Sequence, residues 1–468
     1  MDSVEDLPVV VIGAGPVGLA AAARLLERGM RPLVLERGSG SGAAVANWGH
    51  VRVFSPWSYN IDAAARALLE ETDWQAPDPV ALPTGHELVR DYLAPLAAHP
   101  AIAPNVIFGA TVEAVTRAGL NKSVSVGRED APFVVRWRDR AGVEQRMEGR
   151  AVIDASGTWG SPNPMGVDGL AVEGERAAGD RIAYGIPDIL GRDRALYAGR
   201  RVLVVGGGHS AINVVLDLMR LQEAASGPRV TWALRRNRFD RLLGGGINDQ
   251  LPERGALGLA AKRAIESGRL KILAPFAAER VAPNGDGLRL TARVDGRATT
   301  LLVDRIVVAT GFRPDLGMLH ELRVSLDQTV EAPPALAPLI DPNLHSCGTV
   351  PPHGAAELAH PEPGFFIVGA KSYGRAPTFL MATGYEQVRS VVAEIAGDHQ
   401  AAREVRLILP ETGVCGAPPE ATASADGCCG GPAPTEIDAC CALDAEAKLA
   451  GKKGCGCAAA SSREPAQA

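Results

Sequence analysis

Val9-Val10-Val11-Ile12-Gly13-Ala14-Gly15-Pro16-Val17-Gly18 is the stretch whose reading decides the fold. It opens with a short apolar run, turns at glycines, and continues through Leu19 to Arg28 with helical spacing. A second apolar run, Pro32 to Leu35, ends in the acid Glu36. The order strand, glycine turn, helix, strand, acid is the dinucleotide-binding fingerprint, and each part has a physical task. Gly13 makes the tight turn. Gly15 lacks a Cβ, so a pyrophosphate can approach the backbone. Gly18 lets the helix pack against the strand. The free N–H groups of the first helical turn face the phosphates. Glu36 is placed to accept hydrogen bonds from a ribose.

A chain of 468 residues has room for two or three domains with cores of their own. Its hydrophobic content of 46% argues against disorder, and a net charge of −6 argues against a broad nucleic-acid footprint. No run of about 18 uninterrupted apolar residues exists, so no membrane span is expected. The start reads as lacking a secretory leader, which points to a cytoplasmic protein.

After Glu36 and Arg37 the chain passes through a glycine-serine loop to a segment with four aromatics, Trp48, Phe54, Trp57 and Tyr59. These form either a small core cluster or a wall against a flavin ring. Residues 61 to 71 and 84 to 98 read as helical, with Thr84 and Glu87 spaced as a capping box. Residues 106 to 148 alternate as antiparallel strands. Ala151 to Gly160 reads as a buried strand ending in a small-residue turn.

A second fingerprint begins at Arg200, with its strand from Arg201 to Val205. Its turn is Gly206-Gly207-Gly208-His209-Ser210-Ala211, and its second strand ends in Arg235-Arg236 rather than an acid. An acid at that position suits a free ribose hydroxyl, whereas paired guanidinium groups suit a 2′-phosphate, which they bind in bidentate fashion. The first fold therefore fits FAD and the second NADPH. Asp304 to Pro314 gives another buried strand with a small-residue turn, and Pro361 to Lys371 a further strand with a glycine stop. Thr378 to Ala396 reads as a helix whose free N–H groups face a flavin.

Gly13 to Gly18 with Glu36, Gly206 to Ala211 with Arg235-Arg236, Ala309-Thr310-Gly311 and the late Gly369 occur in order over residues 1 to 400. Together they resemble the two-dinucleotide-binding-domain flavoproteins, most closely the flavin-containing monooxygenase-like branch. The resemblance implies an α/β chain with two Rossmann-like dinucleotide-binding domains, the FAD domain being interrupted by an inserted NADPH domain. The expected bounds are 1–165 and 304–400 for the FAD domain and 166–303 for the NADPH domain. FAD contacts are expected at Gly13, Gly15, Pro16, Val17, Gly18, Glu36, Arg37, Trp48, Gly311 and Gly369. NADPH contacts are expected at Gly206, Gly208, His209, Ser210, Ala211, Arg235 and Arg236. In the resembled branch NADPH reduces the flavin, and reduced flavin with O₂ passes one oxygen to a soft nucleophile. Two departures stand out: Tyr184-Gly185 to Leu190 lacks the branch's histidine signature, and the usual Gly-Asp after the last strand is Gly369-Ala370-Lys371.

Cysteine is distributed unevenly: of eight, none lies in residues 1 to 346, Cys347 stands alone, and seven fall in the last segment. Disulfide-reducing flavoenzymes need a redox pair near the flavin. Residues 411–468 read as a mobile tail carrying Cys415, Cys428, Cys429, Cys440, Cys441, Cys455 and Cys457 and no histidine. An all-thiolate set suits a soft metal ion or trivalent arsenic. This tail resembles Cys-rich tails on bacterial arsenic-resistance proteins. The combined expectation is a monooxygenase-like oxidoreductase taking a small-molecule substrate, with O₂ and a trivalent arsenical or another thiophilic toxicant. An organic N- or S-hydroxylating monooxygenase and a non-catalytic thiol-rich flavoprotein are the alternatives. No catalytic acid or base stands out, and the assembly, a homodimer included, is left open.

Overall fold

The computed structural model describes residues 4–223, 227–236, 252–342, 350–376 and 379–407. Cys347 and the seven tail cysteines lie outside these residues. In chain order the first strands are β1 (Val9–Ile12), β2 (Pro32–Glu36), β3 (Val106–Phe108), β4 (Thr111–Arg117), β5 (Phe133–Arg138), β6 (Glu144–Gly149) and β7 (Ala151–Asp154). Then come β8 (Ile182–Tyr184), β9 (Arg201–Val205), β10 (Arg229–Ala233), β11 (Lys271–Leu273), β12 (Phe276–Asn284), β13 (Gly287–Val294), β14 (Arg297–Val303), β15 (Arg305–Val308) and β16 (Phe365–Ile367).

The chain divides into two compact units. The first is Met1–Ser161 with Phe312–Asp341 and Val350–Leu409; the core of the second is Pro162–Gly311. In the first, a parallel sheet of order β16-β7-β1-β2-β3 is paired in register Val9↔Ala151 and Val9↔Pro32. Both of its faces are covered, so β1 is apolar at every position. Val9 and Val11 point to the helical layer, made by α1 (Pro16–Glu27) and the helices Ala63–Glu70 and Met381–Ile395. Val10 and Ile12 point to the other face, where Val115, Phe133, Val135 and Trp137 of the antiparallel sheet β4-β5-β6 cover them. The period-two alternation of a strand makes this division.

The second unit repeats the arrangement. Its parallel sheet has order β11-β10-β9-β15-β8. Val202 and Val204 of β9 pack with the helix His209–Gln222, while Leu203 and Val205 face Val281, Leu288 and Leu290 of the antiparallel sheet β12-β13-β14. The α/β fold with two dinucleotide-binding units, one inserted in the other, is the architecture expected from the paired fingerprints.

Two expectations need correcting. Val106–Phe108 does not join the antiparallel strands; it pairs parallel with β2 as the sheet's edge, Val34↔Val106. Nor does the chain return to the first unit at residue 304. β15 lies beside β9 in register Val307↔Val204, because its apolar Ile306 to Val308 completes the second sheet, and the return comes at Phe312. The capping box is present: Thr84 N–H donates to Glu87 Oε2 at 2.7 Å and Glu87 N–H to Thr84 Oγ1 at 3.2 Å. No helix among the described residues is long and apolar enough to cross a membrane.

Candidate functional site

In the first unit the site grows from the carboxyl edge of the parallel sheet, where dinucleotides bind in such folds. Gly13 has φ +103°, and a Cβ on it would stand 2.8 Å from the Ala155 carbonyl oxygen. Gly15 caps α1 with no side-chain cap, and a Cβ there would meet nothing within 4 Å. The first turn of α1 thus presents uncapped N–H donors to open space, which fits a pyrophosphate. Pro16 occupies the first helical turn, where its missing N–H costs nothing. Val17 lies behind the turn: its side chain stands 3.4 Å from a Cβ position on Gly369 and 2.5 Å from one on Gly384.

Glu36 ends β2 and already holds two backbone groups. Oε2 accepts Ala14 N–H at 2.7 Å and Oε1 accepts Gly38 N–H at 2.6 Å. Each oxygen keeps a second lone pair for ribose hydroxyls. Exposed Arg37 lies along Gly160, its Nη2 being 3.1 Å from a Cβ position there. Trp48 is half-buried against Gly85, and Trp57 is 5% exposed within the first core, while Phe54 and Tyr59 are half-buried. A different aromatic pair, Trp159 and Phe312, stacks at 4.8 Å between ring centres.

Gly369 is an expected FAD contact just after β16. In the structure its N–H donates to Gln387 Oε1 at 2.7 Å. A 3₁₀ turn, Gly369–Tyr373, separates β16 from the helix, which starts at Met381. The glycine is required instead by φ +70° and by its closeness to Val17. Gln387 Nε2 also donates to Ser372 Oγ at 2.9 Å and faces His353 Nε2 at 2.9 Å. Burial holds His353 below the usual histidine range, so its ring is neutral and accepts there while Nδ1 donates to Pro351 O.

The second unit uses the same device. A Cβ on Gly206 would stand 2.2 Å from the Ala309 carbonyl oxygen, and one on Gly208 would meet nothing within 4 Å. Gly208 caps the helix without a side-chain cap; His209 and Ser210 form its first turn, and Ala211 is fully buried. Trp232 Nε1 donates to Gly206 O at 2.8 Å, pinning the turn to β10. Arg235 and Arg236 follow β10, both exposed. Gly311, expected at the FAD, ends the second unit with φ +91°, two residues after the Ala309 that backs Gly206. Its counterpart in the first unit is Gly157, with φ +68°.

Sequence reading missed one cluster, Asp154, Ser156 and Lys371, which lies beside Gly13. Its signal was an acid at the end of an apolar strand and a lysine after the glycine stop. No group of three or more His, Cys, Asp or Glu among the described residues is placed to hold a metal ion.

Residues 10–338 match the pyridine nucleotide-disulphide oxidoreductase family. The chain is 26% identical over 320 residues to a ferredoxin–NADP reductase of Ignicoccus hospitalis, covering 68% of this chain and 81% of that one. It is 30% identical over 213 residues to an indole-3-pyruvate monooxygenase of Oryza sativa subsp. japonica, covering 45% of each. Among solved structures, bacillithiol disulfide reductase from Bacillus cereus superimposes with TM-score 0.62 at 22% identity, over 84% of this chain and 99% of that one. The FAD-bound cadaverine monooxygenase of Erwinia amylovora gives TM-score 0.60 at 14% identity, over 90% of this chain and 100% of that one. The chain therefore belongs to the pyridine nucleotide-disulphide oxidoreductase family, as a flavoprotein oxidoreductase whose cofactors are FAD and NADPH.

Proposed function

We propose that the chain is a cytoplasmic NADPH-dependent flavin monooxygenase that transfers one oxygen of O₂ to a small soft nucleophile, a trivalent arsenical. The observation that carries the oxygenase reading is the absence of cysteine from residues 1–346, which include the whole family-matched span. The family-matched span therefore carries no dithiol of its own to relay electrons away from the flavin. FAD, when bound, supplies electron transfer and oxygen activation.

The chain's own residues do the rest. Gly13, Gly15 and Gly18 with the N–H groups of α1 hold the pyrophosphate, and Glu36 orients the ribose. Gly206 and Gly208 cradle the second pyrophosphate, and Arg235 and Arg236 take the 2′-phosphate. The seven tail cysteines support the arsenical, since thiolates without histidine prefer soft ions. The step balances: arsenic(III) loses two electrons in forming its As–O bond, NADPH supplies two more, and the second oxygen leaves as water.

The test is NADPH oxidation and O₂ uptake by the full-length protein with and without methylarsenite. The reading expects stimulated turnover and a pentavalent product, and a weaker response when the seven tail cysteines are serine. Unchanged turnover and no product would refute the substrate.

A second reading, an NADPH reductase that hands electrons to a carrier protein, has one observation in its favour. The ferredoxin–NADP reductase relative is matched over 81% of its own length. Reduction of added ferredoxin without O₂ consumption would favour it.

A further inference from the structure

β7 ends in Asp154, in register with Ile12 at the end of β1 and Ile367 at the end of β16. Its Oδ1 accepts Ser156 N–H at 3.1 Å and the Ser156 hydroxyl at 2.6 Å, closing a turn around Ala155. Ala155 N–H donates to Ile12 O at 2.9 Å, and its carbonyl is the one packed under Gly13. Asp154 therefore shapes the backbone that supports the glycine loop.

Its charge has no access to water: the side chain is 0% exposed. Lys371, itself 1% exposed and carried by the 3₁₀ turn after β16, places Nζ 2.7 Å from Asp154 Oδ2. The same Nζ donates to Ser156 Oγ at 3.1 Å. Ser156 is exposed, so the cluster reaches the surface at the sheet's carboxyl edge. His360 also feels the Asp154 charge, but burial brings it down to about 4, so it is neutral near pH 7.

An anionic pyrophosphate binds in this crevice, and a lone carboxylate beside it would both repel it and carry its own desolvation cost. We propose that Lys371 is the counter-charge of the FAD crevice: it neutralises Asp154, so the aspartate can hold Ala155 and Ser156 under the glycine loop without repelling the cofactor. Lys371 is a positioning residue, acting through Asp154. The proposal rests on the assignment of FAD to the first unit.

The experiment is FAD titration of the full-length apoprotein by flavin fluorescence, with circular dichroism as a check of folding. Four proteins are compared: wild type, Lys371→Met (shape kept, charge lost), Lys371→Arg (charge kept, shape changed) and the double variant Lys371→Met with Asp154→Asn. The charge role expects Lys371→Met to bind FAD about tenfold or more weakly, with Lys371→Arg and the double variant close to wild type. If Lys371→Met does not fold, recovery of folding and FAD affinity in the double variant supports the charge role equally. Wild-type affinity in Lys371→Met overturns the proposal. So does equal weakening in Lys371→Met and Lys371→Arg with no recovery in the double variant, since packing would then be the cause. A wild-type protein that binds no FAD refutes the cofactor assignment instead.

Discussion

A Cβ on Gly18 would stand 1.9 Å from the carbonyl oxygen of Gly13. The two glycines of the first fingerprint are thus locked to each other by backbone contact, whereas Gly15 between them faces open space. Gly18→Ala must push α1 away from β1, and a loss of several kcal/mol is expected, about the upper range for overpacking. Gly15→Ala should leave stability within about 1 kcal/mol and weaken FAD by about tenfold or more, since its methyl occupies the phosphate approach. Thermal unfolding and bound flavin content, measured together, separate the two. Equal effects of the two substitutions would contradict the division of roles.

Arg235 and Arg236 stand exposed at the end of β10, with no acid at the position matching Glu36. Changing both to alanine should raise the KM for NADPH about tenfold or more and leave NADH nearly unaffected, because the lost contacts are charge-assisted ones to the 2′-phosphate. Steady-state kinetics with both nucleotides checks this. A parallel rise for both would assign the arginines elsewhere.

Glu362 is fully buried and binds two guanidinium groups, Arg117 Nε at 2.8 Å and Arg128 Nη2 at 2.7 Å, as well as Arg323 N–H at 2.9 Å. Burial by itself would raise its pKa, but Arg128, the Arg323 N–H and Arg117 outweigh it and hold the carboxyl below the usual range. The triad ties β4 and the loop before β5 to the loop before β16. Glu362→Gln strands two buried cations, and a loss of about 3 kcal/mol or more is expected in urea unfolding. A loss below about 1 kcal/mol, the level of a surface pair, would show that water reaches the triad.

His360 donates from Nδ1 to Ser325 O at 3.1 Å, while Nε2 is buried without a partner among the described residues. Burial lowers this histidine from the ordinary value of 6.5 to about 4. Between those values the unfolded chain binds the proton and the folded chain does not. Its contribution is therefore complete above about pH 6.5 and is lost as pH falls toward about 4, by up to about 3 kcal/mol. In His360→Asn, which keeps a donor for Ser325, the stability-versus-pH slope in this window should be shallower than in wild type. Denaturant midpoints across the window provide the measurement, and identical slopes would assign the acid sensitivity to other groups.

Both glycine loops were legible in the sequence because their chemistry is local. A tight turn, a close backbone approach and a strand buried on both faces each demand particular residues at fixed spacing, and β1 and β9 write those demands as unbroken apolar runs before glycine. The contrast of Glu36 with Arg235-Arg236 is likewise a matter of the residue at one strand end. What the sequence could not settle is which distant segments complete each sheet. Ala155 backs Gly13 and Ala309 backs Gly206, two similar turns shared between two units, and only strand pairing told them apart, moving Gly311 to the second unit. Gly369 was read as a ligand contact because a glycine after a strand looks alike whether its N–H is free or taken; Gln387, eighteen residues on, takes it. Asp154 and Lys371 are 217 residues apart. Neither stands out alone, and their pairing exists only because β16 returns to lie beside β7, where low-dielectric burial makes each charge require the other.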